Sequence, residues 1–151
     1  MSRVALLDVN VLVALFDPDH VHHELAHDWF ADNRASGWAT CPVTENGFIR
    51  VLSNPAYAGT VASIGELAER LHTFCTSGQH VFWADDVSLR DSRLFGLSLA
   101  GGHRHLTDVY LLGLAAHMGG HLVTFDRSIP NRAVVGAGDH TLTIVSSVAF
   151  D

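Results

Sequence analysis

Five short apolar runs, at residues 4–7, 38–41, 80–83, 121–124 and 142–145, recur along the chain, and helix-patterned segments separate most of them. Runs of four residues have strand length, and runs that are apolar throughout suit strands covered on both faces. Strands alternating with helices predict a parallel sheet between two helical layers, a three-layer α/β/α sandwich. With 151 residues, 48% of them hydrophobic and 17% charged, the chain fits one domain over 1–151 with a full core. There is no internal repeat, linker or low-complexity segment.

Residues 8–15 are expected to turn helical directly after the first strand. A second helix over 22–33 carries Leu25, Trp29 and Phe30 at helical spacing. Pro42 is placed to start a third, which carries Glu45, Phe48, Ile49 and Leu52 until Asn54-Pro55 ends it. Residues 64–75 form another amphipathic helix, and Thr107 is expected to cap a strongly apolar one over 109–118, closed by Gly119-Gly120. Between them, 84–105 mixes charged residues with Gly101-Gly102 and predicts short helices and a mobile loop.

Cys41 and Cys75 lack a C-x-x-C partner and are expected to be two buried free thiols in a reducing cytosol. Asp8, Asn10 and Asp17 interrupt the apolar N-terminal stretch, which has no basic leader beyond Arg3 and no small-residue cleavage site. No segment approaches the ~20 apolar residues of a membrane-spanning helix. A cytoplasmic, soluble protein with no membrane association is the expectation.

Four acids stand where a strand has just ended or a helix has just begun: Asp8, Glu45, Asp108 and Asp126. Each has a local explanation. Asp8 or Asn10 serves as a helix cap, Glu45 and Asp108 complement a helix dipole, and Asp126 is a turn residue. Together they fall at the carboxyl ends of parallel strands, the rim on which open α/β sheets build their sites. Like charges ~4 Å apart repel by roughly 4 kcal/mol at an effective dielectric of 20. Mg²⁺ or Mn²⁺ relieves that repulsion, and such an ion activates water and stabilises a leaving oxygen, the requirements of phosphodiester hydrolysis. Thr124 and Asn10 are candidates to position water or a carboxylate, and Arg50 and Arg127 to bind phosphate.

The net charge of −7 argues against adhesion to nucleic acid through a broad basic face. A nucleic-acid substrate remains compatible, because an ion neutralises the rim while a few of the nine arginines hold phosphates.

His23-Glu24-Leu25-Ala26-His27 matches the H-E-x-x-H pattern of zinc proteases, with Glu45 as a conceivable third ligand. The continuation Asp28-Trp29-Phe30 lacks the glycine and third histidine of the extended form, and this reading leaves Asp8, Asp108 and Asp126 without a role. Histidines on an amphipathic surface are the plainer account. A receiver domain needs a lysine, and the chain has none; a haloacid dehalogenase-type phosphohydrolase needs a second Asp where Asn10 stands. A catalytically silent binding module of the same fold stays open. Trp29, Trp38 and Trp83 read as core and interface aromatics, Leu111, Leu112, Leu114 and Ala115 as core with some helix surface left for dimerisation, and His103-Arg104-His105 as a solvated loop.

Leu6-Leu7-Asp8-Val9-Asn10-Val11-Leu12, Thr44-Glu45-Asn46-Gly47-Phe48-Ile49-Arg50, Thr107-Asp108-Val109-Tyr110-Leu111-Leu112 and Thr124-Phe125-Asp126-Arg127 resemble, in order, the four motifs of PIN domains. The likeness is to the VapC-type ribonuclease toxins of toxin–antitoxin pairs and covers essentially the entire chain. It implies a PIN-like fold with sheet order 3-2-1-4-5 and Mg²⁺- or Mn²⁺-dependent endonucleolytic cleavage of RNA. It also implies a homodimer and inhibition by a VapB-type antitoxin. Carried over by position, the acidic quartet that holds the metal is Asp8, Glu45, Asp108 and Asp126, with Asn10 beside it and no departure from the pattern at these positions.

Overall fold

A computed structural model describes residues 3–57, 62–76 and 78–147. Five strands form one sheet: β1 (Ala5–Leu7), β2 (Trp38–Thr40), β3 (His80–Phe82), β4 (His121–Thr124) and β5 (Leu142–Ile144). Their order is β3-β2-β1-β4-β5 and every pairing is parallel, as the strand–helix alternation and the PIN resemblance imply. Around it pack α1 (Val9–Phe16), α2 (His23–Asn33), α3 (Pro42–Ser53), α4 (Ile64–Cys75) and α5 (Leu106–His117).

Successive strand residues point to opposite faces, so each strand feeds two cores. Leu7, Trp38 and Val123 join α1, Phe30 of α2, Phe48 of α3 and Leu67 of α4 on one face. Leu6, Ala39 and Leu122 join Leu111, Leu112 and Leu114 of α5 on the other. The four apolar α5 residues singled out above are thus spent inside the domain, and none of them is exposed. Trp38 and Trp83 are core, and Trp29 is partly buried against it.

Thr107 does not cap α5: a single turn of 3₁₀ helix at His103–His105 runs straight into Leu106, so Thr107 already lies in the first helical turn. Pro42 does start α3, where its missing N–H costs nothing, and Cys41 precedes it in extended conformation. Cys41 is buried, but Cys75 at the end of α4 is only partly so. β3 is an edge strand whose Val81 and Phe82 are exposed. Residues 84–105 hold one-turn helices, and Phe95 pins them down by bridging to Val134 and seating its ring over Gly113 of α5. Among the described residues no helix is long and apolar enough to cross a membrane.

Candidate active site

β1 and β4 are neighbours in register, Leu7 beside Val123, so the residues that follow them emerge side by side at the carboxyl edge of the sheet. Asp8 is the N-cap of α1, and its Oδ1 accepts from the Val9 amide at 2.7 Å. Its Oδ2 accepts from the Thr124 hydroxyl at 2.7 Å. Thr124 Oγ1 in turn accepts from Asn10 Nδ2 at 3.2 Å and from the Asp126 amide at 3.0 Å. Asn10 Oδ1 lies 3.4 Å from the Phe125 amide that donates to it. One fully buried hydroxyl therefore ties together Asp8, Asn10 and the turn that carries Asp126.

Asp8, Asp108 and Asp126 line a single cavity of about 390 Å³, with Asn10 beside them. The first turn of α5 delivers Asp108. Burial, the Asp8 and Asp126 charges and a hydrogen bond to Asp126 push the Asp108 carboxyl up to about 7. Burial raises Asp8 as well, against the hydrogen bonds from Thr124 and Val9. Asp126 is held low, chiefly by hydrogen bonds from the Ser128 hydroxyl and amide at 2.6 and 2.8 Å. Three carboxylates that line one cavity and offer only oxygen donors have the donor chemistry of a hard divalent ion, though their oxygens do not all lie within 4.8 Å of one another.

Glu45 is not among the residues that line this cavity. α3 turns Gly47 toward Val9 and Val51 toward the aspartate cavity, four residues apart on one face. Glu45 and Ile49 occupy another face and line a separate cavity of about 310 Å³ with His72, Cys75 and His80. There the Thr40 hydroxyl donates to Glu45 Oε2 at 2.7 Å and lies 2.8 Å from His80 Nε2. Asp8 feels the Asp126 charge and Asp108 feels those of Asp8 and Asp126, whereas Glu45 acts on Cys75 and His80. Burial and the Glu45 charge push the Cys75 thiol up to about 11. The motif that resembles the family's second acidic segment is present in the sequence, and the α3 residue that lines the aspartate cavity is Val51.

Of the remaining candidates, Arg50 is exposed and Arg127 is exposed with its guanidinium on Ser146 Oγ at 2.9 Å; neither lines the aspartate cavity. His20 and Tyr57 do line it, a role their sequence contexts did not announce. Tyr57 reaches back from the end of α3 to donate to Asp17 Oδ2 at 2.6 Å, closing the turn after α1. The cluster His20, His22, His23 and His27 was the one visible signal that histidine gathers near this rim. The H-E-x-x-H segment lies on α2, where His23 Nδ1 hydrogen-bonds the Ala14 carbonyl at 2.7 Å and Glu24 and His27 are exposed. Glu45, its conceivable third ligand, belongs to the other cavity. Among the described residues, neither histidine joins a group of three potential metal ligands.

Comparison with known proteins supplies the remaining findings. A family model described as PIN domain matches residues 5–135. Ribonuclease VapC44 of Mycobacterium tuberculosis is 46% identical over 136 residues, covering 88% of this chain and 93% of the relative. Ribonuclease VapC39 of the same organism is 41% identical over 132 residues, covering 87% and 95%. Ribonuclease VapC38 is 45% identical over 126 residues, covering 83% and 87%.

Proposed function

The chain belongs to the PIN domain family, and from that premise we propose that it is a metal-dependent endoribonuclease acting as the toxin of a VapBC-type toxin–antitoxin pair. The observation that carries the reading is the convergence of Asp8, Asp108 and Asp126, from three separate elements, on one cavity. The names of its relatives support RNA as the polymer.

In this reading the three aspartates hold one or two Mg²⁺ ions, with Mn²⁺ as the alternative; bound there, such ions neutralise the phosphate, acidify water and stabilise the departing oxygen. The chain's own contribution is position. Thr124 holds Asp8 in one orientation through a hydrogen bond to Oδ2, and the Val9 amide holds Oδ1. Ser128 fixes Asp126. An attacking water forms a new bond to phosphorus as the bond to the ribose oxygen breaks, and a cavity carboxylate oxygen takes up its proton. Arg127, next to Asp126, is a candidate phosphate contact, while Arg50 reaches phosphate only from outside the cavity wall.

Regulation follows from the same charge. An antitoxin of the VapB type that places an Arg or Lys among the aspartates would satisfy them electrostatically and displace the ion. A homodimer is part of the proposal, drawn from the family resemblance.

The test is cleavage of single-stranded RNA by the purified protein in Mg²⁺. Cleavage that vanishes in EDTA and in both Asp8→Asn and Asp108→Asn supports the proposal. Cleavage persisting in either variant or in chelator overturns it. Co-expression with the product of an adjacent small gene should abolish toxicity; toxicity that no neighbouring product relieves removes the antitoxin part.

A further inference from the structure

One histidine on the wall of the aspartate cavity has no part in the chemistry described so far. His20, in the turn between α1 and α2, lines the cavity together with Tyr57. Among the described residues no arginine lines it. Of its other polar side chains, Asn10 donates through Nδ2 to Thr124, and Tyr57 gives its only proton to Asp17.

His20 is fixed at three points. Its amide donates to the Asp17 carbonyl at 3.0 Å, its carbonyl accepts from the His23 amide at 3.0 Å, and its ring Nδ1 accepts from the His22 amide at 3.0 Å. Asp17 ends α1 and is itself pinned, with Oδ2 on the Tyr57 hydroxyl at 2.6 Å and Oδ1 on the Asp19 amide at 2.9 Å. On the far side of the turn, the His22 ring packs on Phe125 with centroids 4.8 Å apart, which ties the turn to the residue before Asp126.

The bond at Nδ1 decides what the ring offers. A nitrogen that accepts an amide proton has its lone pair engaged, so the proton of the neutral ring sits on Nε2. Burial and the neighbouring His22 charge hold His20 below the usual histidine range, toward that neutral form. Among the described residues Nε2 has no hydrogen-bond partner, and the ring is only partly buried.

We propose that His20 is a substrate-binding residue whose Nε2–H donates to a non-bridging phosphate oxygen of the RNA backbone in the aspartate cavity.

This inference rests on the endoribonuclease reading above. A phosphodiester carries two non-bridging oxygens; an ion held by the aspartates takes one, and the other needs a donor. An arginine in that place would pair with the aspartates and compete with the ion, whereas a neutral N–H does neither. His20 forms no ion pair with the aspartates among the described residues.

The test is a cycle between protein and substrate. His20→Phe keeps a ring and removes the donor; a methylphosphonate linkage puts a methyl group in place of one non-bridging oxygen. Single-stranded RNAs carrying that linkage at one phosphate at a time around the cut, as separated diastereomers, are compared with unmodified RNA. The readouts are kcat/KM and Kd by fluorescence anisotropy. With unmodified RNA, His20→Phe should lose about 10–100-fold in kcat/KM, the range for a hydrogen bond to a charged group. His20→Gln, which returns an N–H near the Nε2 position, should recover most of it. At one phosphate the methylphosphonate should cost wild type a similar factor and cost His20→Phe nothing further. A purely structural role lowers every substrate alike, so losses that add at every phosphate overturn the contact. Nitrogen-15 histidine spectra of the free protein that place the His20 proton on Nδ1 also overturn it, whatever the activity. If circular dichroism shows that His20→Phe fails to fold, His20→Asn, which draws the N–H back toward the Nδ1 position, replaces it in the cycle. A wild-type protein that binds RNA without cutting it removes the nuclease reading instead, and the Kd arm of the cycle still decides the contact.

Discussion

Thr124 gives its hydroxyl proton to Asp8 at 2.7 Å, and the same oxygen accepts from the Asp126 amide at 3.0 Å. Two of the three cavity aspartates thus share one buried hydroxyl, which sets the spacing of carboxylates proposed to hold the metal. Thr124→Val keeps the shape and removes these bonds. We expect cleavage to fall about 10–100-fold, the usual effect of losing a partner that orients metal ligands. The buried acceptor and amide left without partners should cost about 1–3 kcal/mol in denaturant unfolding. Thr124→Ser retains the hydroxyl and should cleave at close to the wild-type rate; equal rates for Val and wild type would show that Thr124 positions nothing.

Asp108 makes the ion-free protein sensitive to pH. Its carboxyl is pushed up to about 7, while in the unfolded chain it titrates near 3.8. Between those values the folded state keeps a proton that the unfolded state has lost. The stabilising contribution is therefore complete below about pH 4 and is lost as pH rises through 7. His20, His80 and His121 are all held low by burial and act in the opposite direction, losing stability on acidification. Comparing wild type with Asp108→Asn cancels them. In EDTA, the stability of wild type relative to Asp108→Asn should decline from pH 5 to pH 8. Added Mg²⁺ should reverse the decline at the alkaline end only in wild type, because the ion competes with the proton. A difference independent of pH would mean that neither burial nor the neighbouring aspartates raise the Asp108 carboxyl.

Gly47 decides how closely α3 approaches the N-terminus of α1. A Cβ there would stand 2.6 Å from Val9 Cγ2, and Val9 is β-branched with little rotamer freedom to yield. Gly47→Ala should destabilise by about 1–3 kcal/mol through this overlap, despite alanine's better helix propensity. Val9 is also the residue whose amide holds Asp8, so activity should fall with stability. The double variant Gly47→Ala/Val9→Ala should recover part of both. Additive losses in the cycle would place the effect elsewhere.

The fold was legible because short, mostly apolar runs alternate with helix-patterned segments, which suits strands of a parallel sheet, and because Pro42 and Asn54-Pro55 bracket a helix through proline chemistry. Asp8, Asp108 and Asp126 were legible for the same reason: each sits one or two residues past a strand or inside a first helical turn, where topology dictates the destination. Glu45 was expected at the aspartate cavity and lines a neighbouring one, because its position three residues after Pro42 says that it lies in the first turns of α3 but not which way that helix is rotated. The rotation is set by contacts distant in sequence, Gly47 on Val9 and Phe48 in the core with Phe16. Thr107 looked like a cap because hydroxyls favour that position, yet the preceding 3₁₀ turn extended the helix backward past it. His20 and Tyr57 reach the cavity through turns, whose paths local sequence patterns do not specify.

The separation of Glu45 from the aspartates carries the sharpest consequence for activity. If the cavity of Asp8, Asp108 and Asp126 is the catalytic centre, Asp126→Asn removes a carboxylate that faces the reacting phosphate, and cleavage should drop by at least about 10²-fold. Glu45→Gln leaves that cavity untouched and preserves an acceptor for the Thr40 hydroxyl. Its cleavage rate should stay within about tenfold of wild type, even though the PIN resemblance alone would rank the two residues together. Single-turnover rates on one RNA, at Mg²⁺ concentrations high enough to saturate both variants, make the comparison. A Glu45→Gln loss as large as that of Asp126→Asn, with no recovery at higher Mg²⁺, would require α3 to rotate Glu45 into the aspartate cavity during turnover, and would refute the assignment of the site to three carboxylates.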